Sequence, residues 1–110
     1  MSRFQQITAT ELNQLLGDPK TTQLLDVRND DEVARGVIRG ALHIHLHLLP
    51  MRRKELDDET PLAIYCHSGV RSMYACEYLA QQGYGQLFNL HGGILAWGTA
   101  GLPIVSKGSA

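Results

Sequence analysis

Pro61-Leu62-Ala63-Ile64-Tyr65-Cys66-His67-Ser68-Gly69-Val70-Arg71-Ser72 contains the change of pattern on which the fold turns. An apolar run stops at a cysteine, a polar stretch with one glycine follows, and a helical pattern takes over near Ser72. A short apolar run bounded by turn residues is the pattern of a strand buried on both faces. The reading is strand, tight loop, helix, with a thiol at the carboxyl end of the strand. Gly69 can turn with positive φ where a β-carbon would clash. Ser72 is a good N-cap for the helix that follows.

The same alternation extends in both directions. Strands are predicted over residues 4–7, 23–27, 41–46, 62–66 and 86–90. Thr8-Ala9-Thr10-Glu11 is a capping box, and Leu12, Leu15 and Leu16 make one apolar face before Gly17 and Pro19 stop the helix. Asp30 or Asp31 caps a short helix ending at Gly36, and residues 48–56 hold another. The helix over residues 72–82 lines one side with Tyr74, Ala75, Tyr78 and Leu79 and ends at Gly83. Gly92-Gly93 forms a turn into a last helix over residues 94–99. Strands alternating with short helices predict an α/β fold, a central, mostly parallel sheet flanked by helices on both faces. Ligands in such folds lie beyond the carboxyl ends of the strands. Asp26, Cys66 and His91 all fall at predicted strand ends, which points to that edge.

Composition narrows the classes. The chain of 110 residues predicts a single domain over 1–110, with its core over about 4–105. A hydrophobic fraction of 44% is ordinary for a globular protein, and a net charge of −1 suggests neither nucleic acid nor membrane as partner. Arg52-Arg53-Lys54 is followed at once by Glu55, Asp57, Asp58 and Glu59, which reads as a solvated surface. The first residues contain no apolar run of signal-peptide length, so the cytoplasm is the expected location. The two cysteines are expected as thiols. Residues 106–110 read as a frayed end.

The chemistry is concentrated in the loop. Thiolate is the nucleophilic form of cysteine, and a free thiol ionises near pH ~8.5. A loop closing on a helix N-terminus aims backbone N–H groups inward and favours negative charge there. Cys66 is thus a candidate nucleophile, with His67, Ser68, Gly69, Val70, Arg71 and Ser72 as the candidate substrate cradle. Arg71 has two readings, a cation for substrate oxyanions or a structural pin for the loop; the first is expected. His67 either raises the local positive potential or is a plain exposed loop residue. Cysteine-dependent phosphatases carry Cys-x5-Arg, sized for a phosphoryl group. Cys66-x4-Arg71 is one residue shorter and better suited to a sulfur atom.

In this form the loop resembles that of the rhodanese family of sulfurtransferases. Leu24-Leu25-Asp26-Val27-Arg28 resembles the family's strand end, continued by Asp31-Glu32-Val33-Ala34. Glu32 by itself carries little weight there, because acids are common at helix starts. Gly36-Val37-Ile38-Arg39-Gly40-Ala41 is similar to a Gly-His-Ile-Pro-Gly-Ala segment, with Val37 for the histidine and Arg39 for the proline. His91-Gly92-Gly93-Ile94-Leu95-Ala96-Trp97, then Gly101-Leu102-Pro103-Ile104, resembles the family's C-terminal signature. These matches follow family order from about residue 4 to residue 105. The resemblance implies a single-domain enzyme that moves sulfane sulfur through a Cys66 persulfide, without metal or cofactor. It implies a small donor such as thiosulfate, and cyanide, a thiol or a protein thiol as acceptor. The alternatives are a persulfide carrier or docking module for partner proteins and, behind it, a phosphatase or arsenate reductase.

The remaining candidates have plainer readings. Cys76 can resolve a persulfide on Cys66, but a helical cysteine beside Ala75 and Leu79 is more often packed. His43, His45 and His47 would share one face of an extended strand, which raises metal binding against partly exposed structural histidines. His91 is expected to cap a turn. Asp26 and Arg28 are expected to tie loops behind the site, and Trp97 to anchor the core.

Overall fold

The structure is a computed structural model that describes residues 3–17 and 21–109. Five strands form one sheet: β1 (Gln5–Ile7), β2 (Gln23–Asp26), β3 (Leu42–His43), β4 (Leu62–Tyr65) and β5 (Leu87–Leu90). Their order is β1-β5-β4-β2-β3, and every pairing between them is parallel. The central strand is β4, with Asp26 opposite Tyr65 and Ile64 opposite Asn89. The connections run through α1 (Ala9–Leu15), α2 (Asp30–Ala34), α3 (Leu49–Arg52) and α4 (Val70–Gln81), and α5 (Gly93–Thr99) follows β5.

Strand alternation divides the core. Leu25, Val27, Leu62, Ile64 and Leu87 point to one face and pack on Leu49 of α3 and Ala75, Cys76 and Leu79 of α4. Leu24, Ala63, Tyr65 and Leu90 point to the other and pack on Leu12 of α1 and Ile94 and Trp97 of α5. Trp97 is thus the core anchor expected, and its Nε1 donates to Pro103 O at 2.8 Å. A sheet buried on both faces explains why β4 reads as an unbroken apolar run.

Local signals act as their chemistry predicts. Thr8 Oγ1 accepts from Glu11 N at 3.1 Å while Glu11 Oε1 accepts from Thr8 N at 2.8 Å, closing the capping box of α1. Pro19, the expected stop signal, lies outside the described residues. Gly83 follows α4 with φ +96°, the left-handed position a helix exit favours.

Several expectations need correction. The strand expected over residues 41–46 is only Leu42–His43, because the chain turns into a 3-10 helix at Leu46–Leu48. The expected helix over residues 48–56 is four residues of α3 between this and a second 3-10 turn, Arg53–Glu55. Helix α4 begins at Val70, with Gly69 at its N-cap, so Ser72 lies inside the first turn and is not the cap. Tyr74 is 64% exposed and faces away from the core, and Cys76 occupies the buried face instead. The tail is not frayed through Ser109: Val105 forms an antiparallel bridge with Val37, and Lys107–Ser109 is a 3-10 turn. Ala110 lies outside the described residues. No helix among the described residues is long and apolar enough to cross a membrane.

Candidate active site

Cys66 follows the last residue of β4 and keeps the facing of Leu62 and Ile64, so its side chain enters the α4 side of the sheet. The residue is 1% exposed. Three hydrogen-bonding groups meet its Sγ: Gly69 N–H at 3.1 Å, Ser72 N–H at 3.4 Å and Ser72 Oγ at 3.3 Å. Two come from Ser72, which is buried because the helix starts earlier than its sequence suggests. The groups at the start of α4 have no carbonyl partner within their own helix. Here the sulfur takes that place.

The loop is held from a second side by α5. Ile94 N donates to Cys66 O at 2.9 Å and Leu95 N to His67 O at 3.2 Å. That approach requires glycine before them: a β-carbon on Gly93 would stand 2.6 Å from Cys66 O and press on the His67 carbonyl, and its φ is +61°. The Gly92-Gly93 pair is therefore a seat for the loop as well as a turn. His91 contributes its backbone N–H, which donates to Ile7 O at 2.9 Å, while its side chain is exposed.

Arg71 is not an open cation. Its Nη1 and Nη2 donate to Glu32 Oε1 and Oε2, each at 2.7 Å, in a paired fork across α4 and α2. The two bonds from Arg71 hold the Glu32 carboxyl down to about 2. Glu32 Oε1 also accepts from Asn29 N at 3.0 Å. Glu32 by itself carries little weight in the sequence, and its partner is distant along the chain; only the charge complement between α2 and the loop hints at the pair. His67 and Ser68 are exposed at the loop's crest and Val70 at the start of α4. Beside His67 opens a cavity of about 440 Å³, bordered by Glu32, Arg35, Ile94, Leu95 and Ile104.

Behind this lies a buried brace. Arg28 Nη2 donates to Asp26 Oδ2 at 2.8 Å and to Gly36 O at 2.7 Å, and its guanidinium sits 5.5 Å from the Tyr65 ring centre. Burial raises the Tyr65 phenol well above its usual range, and its oxygen accepts from Ile38 N at 3.1 Å. Asp26 and Arg28 thus tie loops together, as their positions suggested.

The other candidates are dispersed. Cys76 is fully buried in the α4 core, where burial pushes its thiol up to about 12. His43 Nε2 lies 2.7 Å from Arg28 O, whereas His45 Nδ1 accepts from His47 N at 3.2 Å in the turn after β3. The strand that would align the three rings ends at His43.

A Rhodanese-like domain model matches residues 8–100. The chain belongs to the rhodanese-like domain family. A sulfurtransferase from Allochromatium vinosum is 46% identical over 92% of this chain and 94% of its own. The thiosulfate sulfurtransferase GlpE of Shewanella oneidensis is 31% identical over 88% of this chain and 95% of its own. The crystal structure of a rhodanese-like domain protein from Staphylococcus aureus superposes with a TM-score of 0.82 at 37% identity, covering 94% of this chain and all of that one. This rhodanese-like domain keeps the cysteine loop of the sequence reading and adds to it a paired Arg71 and a loop seated on Gly93.

Proposed function

We propose that the chain is a sulfurtransferase in which Cys66 carries the transferred sulfur as a persulfide. The observation that supports this reading most is the set of hydrogen-bonding groups around Cys66 Sγ. Fixed donors stabilise negative charge on a thiolate without reorganising during the reaction. With thiosulfate as donor, the thiolate attacks the outer, sulfane sulfur. A Cys66 S–S bond forms, the S–S bond to the sulfonate breaks, and its electron pair leaves with sulfite. An acceptor such as cyanide or a thiolate then attacks the terminal sulfur and returns the Cys66 thiolate. Splitting the transfer through a covalent intermediate gives ping-pong kinetics. His67, Ser68, Gly69, Val70 and Ser72 form the cradle for the transferred sulfur; Arg71 acts with Glu32 as a brace for it.

A protein acceptor is the second reading. Val70, Met73 and Tyr74 are 56%, 38% and 64% exposed on the first turns of α4. An apolar rim next to a nucleophile suits contact with another protein better than contact with thiosulfate or cyanide.

Intact mass measured before and after thiosulfate, beside Cys66→Ala, tests the first reading. Gain of one sulfur atom, removed by cyanide and missing from the variant, is expected. No gain in the native chain would remove thiosulfate and shift the donor to a protein persulfide.

A further inference from the structure

β5 carries a side chain that its position does not call for. Asn89 shares the facing of Leu87, towards the α4 side of the sheet, and is 1% exposed. A buried amide is costly unless its polar atoms are hydrogen-bonded. Asn89 spends its Nδ2 on two acceptors, Gln6 Oε1 at 2.9 Å and Gly69 O at 3.3 Å. Its Oδ1 finds no partner among the described residues. The contacts of the Asn89 amide that the structure shows are thus the two made by its Nδ2.

Those bonds lead to the sulfur. Gly69 has φ +104° and ψ −3°, a conformation with no β-carbon to restrict it. Its N–H donates to Cys66 Sγ and its carbonyl accepts from Asn89. The two groups belong to peptide planes joined at the Gly69 Cα. Anchoring the carbonyl therefore limits how the N–H can swing. Gln6, opposite Asn89 in the β1–β5 register, fixes the amide's orientation from the outer side. The chain of contacts runs Gln6, Asn89, Gly69, Cys66.

We propose that Asn89 is a positioning residue: through Gly69 it keeps a backbone N–H aimed at Cys66 Sγ and so sets the reactivity of that thiol. Its extension to the persulfide rests on the sulfurtransferase reading, whereas the effect on the thiolate does not. Supporting groups of this kind keep a reacting constellation in productive geometry.

The test is the rate of Cys66 alkylation by iodoacetamide against pH, read by peptide mass so that Cys76 is counted separately. Asn89→Leu keeps the volume close and removes the donors. In the folded variant the profile moves to higher pH, and the rate at neutral pH falls roughly three- to tenfold relative to its alkaline plateau. A packing role alone changes the melting temperature and leaves the profile in place; a superimposable profile in folded Asn89→Leu overturns the proposal. If that variant does not fold, Gln6→Leu on the exposed edge strand decides. A smaller shift in the same direction supports the proposal, and no shift overturns it. Thiosulfate loading of the native chain separates the two readings. A shifted variant profile without native sulfur uptake removes the thiosulfate reaction and keeps the positioning role; native uptake with an unshifted profile does the reverse.

Discussion

Arg71 presents its two terminal nitrogens to the two carboxylate oxygens of Glu32, each at 2.7 Å, so the cation nearest the sulfur loop is spent on α2. Glu32→Gln keeps the size and removes the charge. The carboxyl stands at about 2 in the folded protein against 4.5 ordinarily. Its contribution is therefore complete above about pH 4.5 and is lost as the pH falls towards about 2. The pair is partly solvent-screened, and about 1–2 kcal/mol is expected at neutral pH. Urea midpoints of the native and variant chains should differ most at neutral pH and converge in acid. An equal gap at both ends would remove the charge pair as the cause. The released Arg71 should also make sulfate a stronger inhibitor of the variant.

Gly93→Ala should damage stability and chemistry together. Its β-carbon would meet the carbonyls of Cys66 and His67, the two that α5 binds, at a backbone φ of +61°. A loss of about 2 kcal/mol or more is expected, together with most sulfur uptake by Cys66. A thermal melt and a mass measurement on the same sample check both. A destabilised variant that loads sulfur at the native rate would show that α5 does not hold the loop.

Cys76 should be inert. With its thiol pushed up to about 12 by burial, native-state alkylation at mildly alkaline pH should label Cys66 and spare Cys76. Cys76→Ala should keep sulfur uptake and cost about 1 kcal/mol as a small cavity. A Cys66–Cys76 disulfide, found by mass after sulfur loading, would reinstate the resolving role.

Asp26→Asn leaves the Arg28 guanidinium buried without its charge partner, at 4% side-chain exposure. A loss of about 3–5 kcal/mol is expected in chemical denaturation. Asp26→Asn combined with Arg28→Met, which removes both charges, should recover much of it. Additive losses would mean that the pair does not act as a unit.

Legibility in the sequence followed the range of the interactions. The run ending at Cys66, the Thr8–Glu11 box and Gly83 are local signals, and each acts where the pattern puts it. The residues around 41–46 read as a longer strand because their apolar alternation continues through Leu46; the ladder ends at His43, and beyond it Ile44 N and Leu46 N still reach Asp26 O and Val27 O, at 3.0 and 3.3 Å, as the chain turns into the 3-10 helix. Ser72 reads as a cap because its hydroxyl suits that place, whereas in the first turn of α4 the same hydroxyl meets the Cys66 sulfur at 3.3 Å. Glu32 with Arg71, and Asn89 with Gly69, join segments far apart in the chain. No periodicity marks such pairs, so the candidate thiol and its loop are legible in the sequence and the supports around them are not.

The bonds from Ile94 and Leu95 to the carbonyls of Cys66 and His67 carry a consequence for synthesis. A ribosome delivers the thiol before it delivers the helix that seats it. A chain ended before α5 keeps Gly69 and Ser72 beside the sulfur in sequence but lacks the two donors that hold the Cys66 and His67 carbonyls. The second support of the loop therefore arrives late in translation, after both the thiol and the helix that follows it.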